Sequence, residues 1–342
     1  MTLTLEDIAR MAGVSRSTVS RVINGEPNVN EATRLKVDKV IKELNFQPNL
    51  AARSLAAGQT HIIGLVIPVG VSAIFSDPFF PMLMQSISSA CNQNGFSIML
   101  WLAEPEFERR TVQQVLYNGL LDGVIVSSMH LTDPIVQTLT ERALPFVTIG
   151  RNPMSHSTSY VDADNYNGAR QAMRHLYRLG RRRIATITGP MNTIVGVDRL
   201  KGYQDSLKNY NLEYDPDLVV EGDFSDSGGY AAMERLIPLK PDAVFIASDV
   251  MAAAAMRASQ EAGLKVPDDI SIIGFDDIPL ASRTIPPLTT VRQPVGAMGA
   301  AAVDVLIDMI SHSSVEAHRV ILPTELVIRS SCGANARPLE RR

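Results

Sequence analysis

From Thr4 to about Asn45 the apolar positions recur every three or four residues. Ile8 and Ala9, then Val14, then Val19, Val22 and Ile23 give two short helices one apolar face each. Thr4 caps the first helix, with Glu6 and Asp7 in the first turn, where the helix dipole favours acids. Gly13 supplies a turn in which positive φ costs little, Ser15 caps the second helix, and Asn24-Gly25 ends it. Asn30 then caps a third helix with an apolar stripe of Val37, Val40, Ile41 and Leu44. The second helix turns Arg16, Ser17, Ser20 and Arg21 outward. Forked and hydroxylic side chains on a short helix suit a DNA major groove, although a plain helical hairpin with a solvated face carries the same pattern.

The periodicity lapses over Phe46–Gly58. Pro48 and Gly58 bracket about nine residues of high helix propensity, too few to hold a helix unaided in water. The segment is expected to be a linker, or a hinge that folds only when DNA and a second copy hold it. From His61 the texture changes to apolar β-branched runs alternating with helical stretches. The runs are 61–68, 96–102, 123–127, 145–150, 183–188, 242–247 and 270–275; the helical stretches are 81–94, 109–118, 134–142, 165–179, 198–209, 228–236 and 251–262. Continuous Ile/Val runs with intervening helices predict parallel strands buried on both faces. The pattern restarts at Arg181–Gly189 much as it starts at His61–Ile67, which predicts two similar α/β lobes with a cleft between them. The expected layout is an all-α head over 1–46, a hinge over 47–59, a two-lobed α/β domain over 60–332 and a frayed tail over 333–342.

Composition narrows the function. The 342 residues are 45% hydrophobic with a mean hydropathy of +0.05, as in a globular protein. The net charge of −4 is uneven: residues 1–60 hold eight Arg/Lys against six Asp/Glu, so the head is slightly basic and the remainder acidic. That fits nucleic-acid contact confined to the head. Cys91 and Cys332 give neither a disulfide framework nor metal-ligand spacing, and no metal or cofactor is expected. Early acidic residues and the lack of an apolar signal region point to a cytoplasmic protein, and no apolar run approaching a membrane span is expected. An enzyme would need a Gly-rich phosphate loop, a nucleophile elbow or a clustered His/Cys/carboxylate set, and none is visible. A transport-type sugar-binding protein would need an export signal in place of the head.

Motifs along the chain carry a resemblance: Leu5-Glu6-Asp7-Ile8-Ala9, Ala12-Gly13-Val14-Ser15, Thr18–Asn24, Leu44–Asn49, Ala51–Leu55, Gly274-Phe275-Asp276-Asp277 and Pro286–Val291. Together they resemble the LacI/GalR family of transcription regulators over essentially the whole length. The resemblance implies a homodimer on a near-palindromic operator, a helix-turn-helix head, and a periplasmic-binding-protein-like (type I) sensor for a small effector. It places Ser15, Arg16, Ser17, Thr18, Ser20 and Arg21 on the recognition helix, with Arg16 and Ser17 at positions where the family varies its base contacts. Thr4 and Asn24 are expected to join the DNA surface, together with Asn49, Ala52 and Leu55 of the hinge. Leu55 matches a leucine that wedges into the minor groove and kinks DNA.

The effector site can be sought at the carboxyl ends of the strands, where open parallel sheets hold ligands. Those ends carry Arg151, Asn192, Ser248, Asp249 and Asp276, and the aromatic residues Phe79, Phe80 and Phe224 lie nearby. Carboxylates and guanidinium pair with vicinal hydroxyls while rings cover the apolar face of a sugar. The resemblance adds Arg199 and Gln293 and reinforces Asp276. Asp249 and Asp277 can equally cap helices or brace the joint between lobes. The expected function is therefore a repressor of carbohydrate-use genes under the control of a sugar. An activator, or a regulator responding to a purine, nucleoside or phosphosugar, is the alternative, the last because Arg151 and Arg199 can hold a phosphate.

Overall fold

The computed structural model describes residues 3–46, 59–68, 71–102, 119–127, 130–131, 134–141, 144–152, 157–312 and 316–334. The chain divides into two compact units, Met1–His61 and Ile62–Arg342.

In the first unit, α1 (Leu5–Ala12), α2 (Arg16–Ile23) and α3 (Glu31–Glu43) close around Ile8, Ala9, Val19, Val22, Val37 and Phe46. Each start has its expected cap: the Oγ of Thr4 accepts from Asp7 N, that of Ser15 from Thr18 N, and the Oδ1 of Asn30 from Thr33 N. Asp7 answers with a bond from Thr4 N at 3.0 Å, completing a capping box. Gly13 takes φ 64 as the left-handed cap of α1, a conformation a side chain would resist. The hinge residues Asn49, Ala52 and Leu55 lie outside the described residues.

The second unit has two lobes, each with a six-stranded sheet. In lobe 1 the sheet comprises β1 (Ile62–Ile67), β2 (Ser97–Leu102), β3 (Gly123–Val126), β4 (Phe146–Ile149), β5 (Ser159–Ala163) and β11 (Arg319–Leu322). Its order is β11-β5-β4-β3-β1-β2 and every pairing is parallel. Around it lie α4 (Val71–Ser76), α5 (Phe79–Gln93), α6 (Pro134–Glu141) and α11 (Val295–His312). Lobe 2 comprises β6 (Ile184–Thr188), β7 (Val219–Glu221), β8 (Ala243–Ile246), β9 (Ser271–Asp276), β10 (Thr289–Arg292) and β12 (Glu325–Val327). The order is β12-β10-β9-β8-β6-β7, parallel except that β12 runs against β10. Its helices are α7 (Asn165–Arg178), α8 (Ile194–Asn209), α9 (Asp226–Leu236) and α10 (Asp249–Glu261).

The expected runs and helices recur with shifted ends. The helix expected from Asp198 begins at Ile194, because Thr193 caps it through Gly196 N. Expected helix 109–118 and most of the tail lie outside the described residues. Several elements gave no recognised signal: β5, the late strands and α11. The chain passes from lobe 1 to lobe 2 after β5, returns after β10, and crosses again between β11 and β12. At this joint Asp164 N donates to Leu322 O at 2.8 Å and the hydroxyl of Thr324 to Asp164 O at 3.2 Å.

The expectation that no apolar run approaches a membrane span is corrected by α11, whose 18 residues are long and apolar enough to cross one by length and composition. Its Val295, Met298, Ala302, Val303 and Leu306 instead fill the lobe 1 core against Leu83, Ile87, Ile125 and Val147. Both cysteines are buried as well, and burial pushes the Cys91 thiol up to about 11.

Candidate nucleic-acid interface and ligand cavity

On α2 the apolar side is spent on the head core, with Val19 and Val22 buried. Ser15, Arg16, Ser17, Arg21 and Asn24 are exposed; Thr18 and Ser20 are half-buried. Ser15 does more than cap, since its Oγ lies 2.8 Å from both Ser17 Oγ and Thr18 Oγ1, making a cluster of hydroxyls at the helix start. Arg16 Nε pairs with Glu6 at 2.9 Å and Arg21 Nε with Glu26 at 3.7 Å. All four side chains are about half or more exposed, so the pairs contribute little to stability. Thr4 and Asn24 sit at the two helix ends as caps, Thr4 with its hydroxyl engaged to Asp7 at 2.8 Å.

In the second unit, a cavity lies between the lobes at the carboxyl ends of their strands, the place where open parallel sheets hold small molecules. Lobe 1 contributes Asp77, Phe79, Ser127, Ile149, Gly150, Asp162 and Met298; from lobe 2 come Val195, Arg199, Phe224 and Asp276, with Gln293 at the crossing into α11. Arg199 is the polar centre. Its Nε donates to Asn165 Oδ1 at 2.9 Å, its Nη1 donates to Ala247 O and lies 3.5 Å from Asp276 Oδ1, and its guanidinium stacks 3.7 Å from the Phe275 ring centroid. Gln293 Nε2 donates to Asp276 Oδ1 at 2.6 Å. The Asp276 carboxyl is pushed up to about 7 by burial, against the pull of Arg199. Burial also lifts Asp162 to about 6 and raises Asp77.

Two lining residues hold backbone conformations that side chains rarely adopt: Phe224 at φ 67 and Asp276 at φ 117, the latter followed by Asp277 at φ 59. Such outliers persist where surrounding structure enforces them and cluster at binding sites. Gly189, just after β6, leaves room for the Phe224 ring; a Cβ there would stand 2.2 Å from it.

Of the effector residues expected from sequence, Phe79, Arg199, Phe224, Asp276 and Gln293 line this cavity together. The others do not. Phe80, one residue along α5 from Phe79, turns into the lobe 1 core, 4% exposed and edge-on to Phe79. Arg151 is drawn aside by Asp198, Nη2 to Oδ2 at 2.6 Å, and by Asp162, and faces a second chamber with Asn165, Tyr166 and Lys201. Asn192 is exposed in the loop before α8, where its carbonyl accepts from Leu131 N at 2.9 Å. Ser248 caps α10 through Met251 N. Asp249, fully buried behind Asp276, accepts from Thr290 Oγ1 at 2.5 Å and Ile278 N at 3.0 Å. Burial and the Asp276 charge push its carboxyl well above the usual range.

Sequence reasoning missed Asp77, Ser127, Asp162 and Met298. Asp77 was legible as an acid before Pro78 at a helix start, and Ser127 as the polar end of a strand. Asp162 falls on a strand that was not recognised, and Met298 on the unrecognised α11.

Comparison with known proteins agrees with this architecture. Residues 4–49 match the family of bacterial regulatory proteins, lacI family, and residues 173–332 the periplasmic binding protein-like domain. The chain is 41% identical to the HTH-type transcriptional regulator CelR of Thermobifida fusca, covering 96% of this chain and 98% of that one. It is 36% identical to the ribose operon repressor of Escherichia coli, covering 96% and 99%. Among solved structures, a CelR–cellobiose complex superposes with a TM-score of 0.77 at 39% identity, over 96% of this chain and 99% of that one. The lac repressor dimer bound to operator and an anti-inducer gives 0.84 at 30%, over 97% and 99%. The chain thus belongs to the LacI family, as a DNA-binding transcription regulator with a helix-turn-helix head and a two-lobed periplasmic-binding-protein-like domain.

Proposed function

We propose that the protein represses carbohydrate-utilisation genes from the cytoplasm. In this reading a homodimer binds a near-palindromic operator, and a sugar in the interlobe cavity modulates its affinity. The observation that carries the reading is the Arg199–Asp276–Gln293 network set between Phe79 and Phe224. Fixed donors and acceptors beside aromatic faces suit a ring with hydroxyls on its edge and C–H groups on its face. A solved relative binds cellobiose and another represses a ribose operon, which supports a sugar.

On the head, Ser15, Arg16, Ser17, Thr18, Ser20 and Arg21 face the major groove. Arg21 forks onto guanine or braces a phosphate, and Arg16 and Ser17 set base preference. Thr4 and Asn24 flank them, and Asn49, Ala52 and Leu55 belong to a hinge over the operator centre. Sequence selection of operator DNA by the full-length protein tests this. Recovery of a palindromic consensus whose affinity shifts with cellobiose or ribose supports it. Recovery of random sequence, or of a consensus indifferent to every sugar, contradicts it.

A further inference from the structure

The charges around the cavity discriminate among sugars. Among the described residues, its charged lining comprises Asp77, Asp162 and Asp276 with Arg199 as the lone cation. From sequence, Arg151 and Arg199 are both candidates to hold a phosphate, and the geometry withdraws each of them. Arg151 is bound to Asp198 at 2.6 Å, pairs with Asp162 at 3.9 Å, and lines the other chamber. Arg199 has committed Nε to Asn165 and Nη1 to Ala247 and Asp276, and one face of its plane to Phe275. Either N–H fork with which arginine grips a phosphate, Nε with Nη2 or Nη1 with Nη2, therefore already has one arm engaged.

We infer that the cavity admits only an unphosphorylated, uncharged sugar, and that Asp77 and Asp162 are the residues that reject its phosphate ester. This rests on the reading that the cavity holds a sugar. Asp162 is 2% exposed and fixed on the lobe 1 side: Ala163 N donates to its Oδ1 at 2.8 Å and Arg151 N to its Oδ2 at 3.3 Å. Asp77 is held at the start of α5 by Phe79 N, at 3.0 Å. Neither carboxylate can swing away from an incoming anion without giving up these bonds. To a neutral polyol the same oxygens are acceptors for hydroxyl donors; to a phosphate they are like charges held in place, which repel it. Exclusion by mismatched charge is a common route to specificity. The regulator would then report a sugar taken up or released without phosphorylation, and the ester made by a kinase acting on that sugar would not signal.

The test uses the full-length protein at about pH 8, above the values of about 6 for Asp162 and about 7 for Asp276. Cellobiose and cellobiose 6′-phosphate, and ribose and ribose 5-phosphate, are titrated by calorimetry alongside thermal shift. One neutral sugar should bind, with its ester weaker by more than about a hundredfold, the size of a like-charge clash of several kcal/mol. An ester that binds as tightly as its parent sugar overturns the inference while leaving the sugar site intact. Failure of all four to bind removes the sugar reading and this inference with it. In D77N/D162N, and in the milder D77N, the ratio of ester to sugar affinity should rise by at least about tenfold for the double variant, since the repulsive charges are gone. An unchanged ratio in a folded variant assigns the discrimination elsewhere and overturns the role given to these two residues.

Discussion

Asp276 combines two features that cost stability, a positive φ of 117 and a carboxyl buried beside Asp249 and Asp77. Strain of that kind is worth about 1–3 kcal/mol and is retained where a side chain must be aimed. The titration follows with a definite sign. The folded-state values of about 7 for Asp276 and about 6 for Asp162 lie above the ordinary 3.8, so the native state binds more protons than the unfolded chain. Stability from these groups is full below pH 4 and is lost as pH rises to 6 and 7. The melting temperature of wild type relative to Asp162→Asn should therefore fall between pH 4 and pH 7. A difference that is flat or rising across that window would contradict the assignment. Gly189→Ala places a Cβ 2.2 Å from the Phe224 ring, and should weaken sugar binding by about 1 kcal/mol or more as the ring is displaced. On the head, Arg21→Ala should cost about 1–3 kcal/mol at one base pair if Arg21 forks a guanine. Uniform weakening on all sequences with a shallower salt slope would mark a phosphate contact.

At the scale of elements, caps were the most legible feature. Thr4, Ser15 and Asn30 were each read from one side chain before an apolar stripe, and each accepts the expected backbone bond. Asn30→Ala removes a cap away from the reading face of α2 and should lower head stability by about 1 kcal/mol. Chemical denaturation followed by circular dichroism measures this; an unchanged transition would mean that the cap contributes nothing. The strands β1, β3, β4, β6, β8 and β9 were legible because continuous Ile/Val runs leave little else to be. β5 was missed because Ser159, Tyr160 and Asp162 interrupt its apolar run, and α11 because its Gly- and Ala-rich sequence carries weak periodicity. Those two misses account for Asp162 and Met298 at the cavity. Arg151 and Asp249 misled for a different reason: both stand at strand ends, yet local partners, Asp198 for one and Thr290 for the other, turn them from the cavity. Position along the chain brought them near the site, but partner choice is a tertiary fact.

Across the second unit, the two lobes are joined by several crossings, one of them tied at Asp164 and Thr324. The Arg151–Asp198 pair spans them from β4 to α8. Arg151→Gln strands Asp198 and Asp162 without their cation and should destabilise the domain by about 1–3 kcal/mol, less than a fully buried pair would because Arg151 is partly exposed. In the proposed function the cavity and the operator are coupled. A ligand achieves this only through differential affinity for the two lobe arrangements, and typical couplings are about 5–150-fold. Fluorescence anisotropy of a selected operator, with and without a saturating neutral sugar, measures that ratio for wild type and Asp276→Asn. Coupling predicts a ratio well away from one in wild type, collapsing towards one in the variant at the same sugar concentration. A wild-type ratio of one with the cavity demonstrably full, or an undiminished ratio in the variant, would contradict it.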